Sequence, residues 1–176
     1  MNKEEILRWN AKYDREHPWW TQEEKELGQQ FRVTHVITKN DLLRLIYWKF
    51  KDLPGRRSRV TKIFQTNSEE YVKDVCAQVL KMNTNQDQMR IGLLDDLEGI
   101  GPAIASVILT FYDPKNYCVH DIHVWRELFG EEPSTLFLGS SCYMKVLFET
   151  RKMAAKYSLD VRTIEKALFK KNLDEP

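Results

Sequence analysis

The chain has 176 residues, 42% of them hydrophobic, and 27 Lys and Arg against 26 Asp and Glu for a net charge of +1. That length suits one compact domain, or two small helical lobes sharing a boundary, and the balanced charge gives no global basic field, so any nucleic-acid surface has to be local. Cys76, Cys118 and Cys142 are too widely spaced for a CxxC metal site or an iron–sulfur run, and read as packed, reduced thiols of a cytosolic protein.

The opening MNKEEILRWNAKYDRE is polar and amphipathic, without the apolar stretch of a signal peptide, and no segment is long and apolar enough to cross a bilayer. Its pattern predicts a first helix over Glu4 to Arg15, broken by HPWW at Pro18. Thr21 with Glu24 three residues on reads as a capping box opening a second helix that runs towards Gln30. ITKNDLLRLIYWKF, capped by Thr38 or Asn40, is dense enough in apolar residues for a largely buried helix. DLPGRRSR then reads as a loop, VTKIF as a short helix, and TNSEEYVKDVCAQVL as a helix capped by Asn67 or Ser68. After a turn at Asn83 to Asn85, helices are expected over Gln86 to Leu97 and Pro102 to Phe111. HDIHVWRELFG should be helical and stop at Gly130, and two last helices run from Glu132 or Ser134 to Tyr157 and from Asp160 to Lys171. No strand, repeat or low-complexity tract is apparent, so the fold class is all-α. The expected division is a central lobe over about residues 34–130, with 1–33 and 131–176 forming a second lobe.

The stretch LEGIGPAIASVIL carries the most chemistry. Gly99 and Gly101 permit positive φ and a tight turn, and Pro102 suits the first position of a helix, where no amide hydrogen is needed. The expected product is a helix-hairpin-helix whose turn amides, with the N-terminus of the next helix, form a concave site for a DNA phosphate. Contacts of that kind position a duplex without reading its sequence.

The span LDDLEGIGPAIASVILTFYDPKNYCVHDIHVWREL, Leu94 to Leu128, resembles the core signature of the helix-hairpin-helix DNA glycosylases, the superfamily of endonuclease III and of the 8-oxoguanine and adenine glycosylases. The matching positions are Leu97, Gly99, Ile100, Gly101 and Ala105, then Asp121, His123 and Arg126. The resemblance implies double-stranded DNA as partner, base flipping into a pocket between helical lobes, and Asp121 as the carboxylate that assists departure of the base. An anion there stabilises positive charge on the sugar and can orient a water, although Asp121 also suits a plain helix N-cap. His123 is a pocket candidate, with a structural role as the simpler reading. The hairpin contacts implied for DNA are Gly99, Ile100, Gly101 and Ala103, with a monovalent cation conceivable at the turn.

The chain departs from that signature at informative places. Ala103 occupies the position where bifunctional members carry a lysine nucleophile, so a lyase step through this position is excluded and a monofunctional reaction with water is expected. Glu98 stands where proline is usual and joins Asp95 and Asp96 in placing negative charge at the phosphate site. The iron–sulfur cysteines are absent, and no metal or other cofactor is called for. The short run between Lys81 and the hairpin suggests a missing helix.

Compensating positive charge comes from Arg56, Arg57, Arg59 and Lys62, in a stretch free of acids. Tyr47, Trp48 and Lys49 just before it are pocket candidates, since flipped bases stack on aromatic faces, while Trp48 also fits the core pattern. Trp19 and Trp20 are expected to pack the N-terminal segment on the C-terminal helices. Three readings follow: a DNA N-glycosylase of base excision repair, a non-catalytic DNA-binding module, and a scaffold. The first requires a cavity opening towards Asp121 that Trp48, Tyr71 and Trp125 do not fill. The expected location is cytoplasmic, at the nucleoid, or nuclear in a eukaryote.

Overall fold

A computed structural model describes residues 1–133 and 139–175, which fold as ten α-helices and one 3-10 turn with no strand among the described residues. The helices are α1 (Lys3–Glu16), α2 (Pro18–Thr34), α3 (Lys39–Lys49), α4 (Pro54–Phe64), α5 (Glu69–Lys81), α6 (Asp87–Asp95), α7 (Pro102–Tyr112), α8 (Ile122–Phe129), α9 (Ser140–Tyr157) and α10 (Val161–Asp174). The all-α class is as expected. No helix among the described residues is long and apolar enough to cross a membrane.

Local chemistry sets most helix ends. Asn2 with Glu5 and Thr38 with Asp41 form reciprocal capping boxes, and Ser68 accepts the Tyr71 amide at 3.1 Å, each satisfying first-turn amides that have no partner inside the helix. Pro18, Pro54 and Pro102 open α2, α4 and α7 at the position where a missing amide hydrogen costs nothing. Gly130 closes α8 in the left-handed conformation at φ 66°.

Several boundaries differ from the sequence expectation. Thr21 does not cap α2; that helix already starts at Pro18, and Thr21 Oγ1 instead donates to Asp14 at 3.1 Å. The stretch PGRRSR is helical, forming the first half of α4, because proline tolerates the first turn and the three arginines that follow Gly55 are good helix formers. Glu132 lies outside any helix, α9 begins at Ser140, and the alternative start at Ser134 falls outside the described residues.

Helix α7 is the centre of the molecule. Every residue from Ile104 to Phe111 is buried, as its all-round apolar sequence demands. Helices α2, α3, α6 and α9 pack around it, while α10 lies against α1, α8 and α9. Arg32 of α2 donates to the Phe111 carbonyl at 2.7 Å, tying α2 to the C-terminal end of α7 where orphan carbonyls await donors. All three cysteines are buried, consistent with small apolar packing groups.

Candidate active site

The chain from Tyr117 to Asp121 has no regular structure and is fixed from three sides. The His120 amide donates to Ser106 Oγ of α7 at 2.8 Å, the Val119 amide to Glu165 Oε2 of α10 at 3.4 Å, and the His120 carbonyl accepts from Lys49 Nζ of α3 at 3.0 Å. Backbone held in this way presents its next side chain with little freedom.

That side chain is Asp121, at the N-cap of α8. Its Oδ1 accepts the His123 amide at 3.0 Å and its Oδ2 accepts Lys49 Nζ at 2.9 Å. The cap anticipated from sequence is therefore present, and it leaves one carboxylate oxygen for an ion pair. Burial would push the Asp121 carboxyl up, but the Lys49 ammonium with its hydrogen bond, and the His123 amide, outweigh it and hold the group below the usual carboxylate range. Asp121 is thus ionised at neutral pH. A depressed value also fixes the sign of its contribution to stability: fully present above the unfolded value of about 3.9, and lost as pH falls through the folded one.

Both groups face a cavity of about 360 Å³, within the range typical of small-molecule sites. The Lys49 side chain is 11% exposed and that of Asp121 20%, and both line this cavity. Rings contribute to the walls, Tyr13 and His17 from the α1 end, Trp20 from α2, Trp48 from α3, and Phe169 from α10, beside charged side chains in comparable number. His123 joins them, edge-on to Phe169 with ring centres 5.3 Å apart and Nδ1 3.0 Å from Asn172 Oδ1. Lys51, Asp52 and Leu53 from the α3–α4 connection, Val119 and Ile122, and Arg162, Glu165 and Leu173 of α10 also belong to the lining.

Trp48 serves both of its anticipated roles. It is 4% exposed and packs edge-on to Phe111, while its indole nitrogen donates to the Trp20 carbonyl at 3.0 Å and Trp20 returns the bond to the Trp48 carbonyl at 3.1 Å. It lines the cavity without filling it. Tyr71 lies exposed elsewhere and Trp125 is buried away from the lining. The Trp19 and Trp20 pair packs on α3 and its sequel rather than on the C-terminal helices alone, with Trp19 edge-on to Tyr47 and Lys51 over both indoles at 4.2 Å.

Tyr47 does not belong to the cavity. One residue before Trp48 on α3, it points about 100° away, as helical geometry requires, and lines a separate shallow groove with Arg57 and Lys62. Arg57 stacks over its ring at 4.5 Å and donates to the Lys51 carbonyl at 3.1 Å. Arg57 is thereby committed to fixing the α3–α4 connection. Arg56, Arg59 and Lys62 remain exposed at three-residue spacing on α4.

The hairpin lies directly beside that basic helix. Gly99 is left-handed at φ 82°, and a Cβ there would sit 3.0 Å from the Phe64 amide nitrogen and 3.1 Å from the Val60 carbonyl of α4. Gly101, expected to share the positive φ, is instead extended at φ −90° and caps α7. Asn67 clasps the turn, donating to the Glu98 carbonyl at 3.0 Å and accepting the Glu98 amide at 3.1 Å. Ile100 is only 2% exposed, and its amide donates back to the Leu97 carbonyl at 2.9 Å. Its side chain and amide are thus engaged within the fold, although Ile100 still borders the shallow concavity of the turn. Ala103 is half-buried on the first turn of α7.

Asp95, Asp96 and Glu98 are exposed and border the shallow concavity of the turn. Burial, then the neighbouring Asp96 charge, raise the Asp95 carboxyl above its ordinary value, so the concavity is a region of negative potential. Among the described residues no group of three or more His, Cys, Asp or Glu side chains could hold a metal ion. The chain matches no family model, no curated protein and no solved structure.

Proposed function

We propose that the protein is a DNA N-glycosylase of the base excision kind, taking a flipped nucleotide into the aromatic cavity and breaking its N-glycosidic bond beside Asp121. The observation that carries the reading is an ionised carboxylate, held from two sides, at the floor of a cavity walled by aromatic rings. Departure of a base leaves positive charge on the sugar, and a fixed anion in a site of low dielectric stabilises that charge without reorganising. The aromatic walls supply stacking faces for a planar heterocycle whatever its identity. Arg56, Arg59 and Lys62 on α4, running from the cavity rim at Leu53 towards the hairpin, supply local positive charge for a phosphate backbone. Double-stranded DNA is accordingly the proposed partner. A monovalent cation held by turn carbonyls would offset the acids at the hairpin, although the Leu97 and Gly101 carbonyls already accept amides within the turn.

The test is single-turnover base release from duplexes carrying uracil, mismatched thymine, alkylated purines or 8-oxoguanine, with alkaline cleavage of the abasic product. Release by the wild type that falls by about 10²–10⁴-fold in Asp121→Asn supports the reading, since positioned acid–base groups contribute on that scale. Duplex binding without release from any substrate supports the second reading, a DNA-binding module, for which the exposed face of α4 is the favouring observation.

A further inference from the structure

We infer that the groove between α3 and α4 is a second nucleic-acid site, which takes an unpaired base of single-stranded DNA on the Tyr47–Arg57 stack and the adjoining phosphates along Ser58, Thr61 and Lys62. The groove has a volume of about 490 Å³ and shares no lining residue with the Asp121 cavity, so the inference does not depend on any chemistry at Asp121. In one respect it rests on the proposed function: DNA is chosen as the strand because α4 also carries Arg56 and Arg59, the contacts assigned there to a duplex.

Charge is the first feature that selects the ligand. Arg57 and Lys62 belong to the lining and no acidic residue does. Among the described residues neither forms an ion pair, whereas Arg44, beside Leu43 on α3, is taken up by Glu23 at 2.9 Å. Two cations left without counter-charges in one concavity make it attractive to an anion, even on a chain whose total charge is nearly balanced.

The second feature is a ready-made stacking platform. Tyr47 is 43% exposed, and the Arg57 guanidinium lies over its ring at 4.5 Å. Arg57 is held there by its bond to the Lys51 carbonyl at 3.1 Å, and Trp19 braces the ring in an edge-on contact at 5.5 Å. The stack is therefore in place before a ligand arrives, and both a phenol ring and a planar guanidinium offer faces to a base. A phosphorylated peptide would need the charge but not the platform, which favours a nucleic acid. In a duplex the bases are already stacked on one another, so only an unpaired strand can use these faces.

The third feature is spacing. Lys62 lies five residues beyond Arg57 on α4, a rise of about 7.5 Å along the axis, with Ser58 and Thr61 between them and Gln65 beyond. Donors thus run along the groove instead of converging on one point. That layout suits successive phosphates of a strand better than one isolated anion.

The experiment measures fluorescence anisotropy of a labelled oligodeoxythymidylate with the full chain across a salt series, for the wild type, Tyr47→Leu and Lys62→Gln. Both side chains are exposed, so both variants should keep the fold, which thermal melting checks. Tyr47→Leu should weaken strand binding about 5- to 150-fold with an unchanged salt slope, as expected for one lost stacked base. Lys62→Gln should weaken it and lower the log–log slope by about 0.7, the value for one phosphate of a single strand. A base-free strand of the same length should bind the wild type no more tightly than oligodeoxythymidylate binds Tyr47→Leu, and binding of a fully paired duplex should not respond to Tyr47→Leu. Equal affinity for the base-free strand and the thymidylate, or a Tyr47→Leu variant that binds like the wild type, overturns the inference. So does displacement of the strand by inorganic phosphate at the same total phosphate concentration, which reduces the groove to a simple anion site, and so does tighter binding of oligouridylate than of the DNA strand. Strand binding that follows Tyr47 without base release from any lesion sustains the inference and removes the glycosylase reading; base release with strand binding indifferent to Tyr47 does the reverse.

Discussion

The hairpin and the Asp121 cavity lie in neighbouring parts of the chain and are held by different kinds of contact. The hairpin turn closes on itself: Ile100 bonds to Leu97, and Ile104 and Ala105 bond to Gly101. The cavity closes through partners far apart in sequence: Lys49 to Asp121, His123 to Asn172, and Arg162 to Glu24 over 138 residues. Local bonds form at little loop-closure cost, whereas the cavity exists only once α1, α2, α3, α8 and α10 are in place. The turn of the hairpin is therefore set largely by local bonds, with Asn67 as its long-range clasp, while the cavity depends on helices from both ends of the chain.

Arg162→Met should damage the cavity most and the hairpin least. Arg162 is buried, bonds to Glu24 at 2.8 Å and 3.0 Å, and pairs with Glu165, which in turn accepts the Val119 amide. It thereby links α2 to the segment that presents Asp121. Truncating one partner of a buried charge network leaves unpaired carboxylates and costs about 3–5 kcal/mol. Burial would raise the Glu24 carboxyl, and Arg162 with Lys166 more than offsets it, so the wild-type contribution is present above the ordinary carboxylate value and is lost as pH falls through the folded one. Chemical denaturation at pH 7 and at pH 4 should show a large deficit for the variant that narrows at the lower pH. An equal deficit at both would show that packing, not the ion pairs, holds the cavity.

Gly99→Val probes the locally closed region. A side chain at φ 82° is strained, and its Cβ would meet backbone of α4 that has no slack, for a cost of about 1–3 kcal/mol. The expected outcome is a moderate loss of stability with weakened duplex binding, while the proposed Asp121-dependent base release from bound DNA continues. Loss of chemistry at saturating DNA would mean that hairpin and cavity are coupled more closely than their contacts indicate.

The same contrast between local and distant partners governs what the sequence makes legible. Most of the helices, the Thr38 and Ser68 caps, the stop at Gly130 and the glycine of the turn at Gly99 depend on residues within four positions of one another and can be read from the chain, whereas the first half of α4 and the start of α9 depart from what the chain predicts. Asp121 at a helix start is legible for the same reason. Its ion pair with Lys49 is not, because Lys49 has only its place after Trp48 to recommend it and nothing in the sequence specifies a partner 72 residues on. Arg162, Glu165, Phe169 and His17 give no signal as wall residues. Each sits in an ordinary amphipathic pattern, and only the packing of α10 on α1 turns those faces into a wall. Tyr47 and Arg57 stand apart from their expected sites because neighbours in a sequence point to different sides of a helix.

The smallest effects are expected on the surface around the hairpin. Asp95, Asp96 and Glu98 are exposed around the concavity, while Arg56, Arg59 and Lys62 are exposed on the adjoining helix. Replacing surface charges of this kind changes stability by no more than about 0.5 kcal/mol. Binding should respond in opposite directions. Reversing Arg56, Arg59 and Lys62 to Glu should weaken association with an undamaged duplex and flatten its salt dependence by about 0.9 in log–log slope for each phosphate no longer neutralised. Converting the three acids to their amides should strengthen association, most at low salt, where unscreened repulsion acts over about 30 Å at 0.01 M. Fluorescence anisotropy across a salt series reads both. If the amide variant gains nothing, the turn does not approach a phosphate, and contact with DNA runs through α4 and the cavity rim at Leu53 instead.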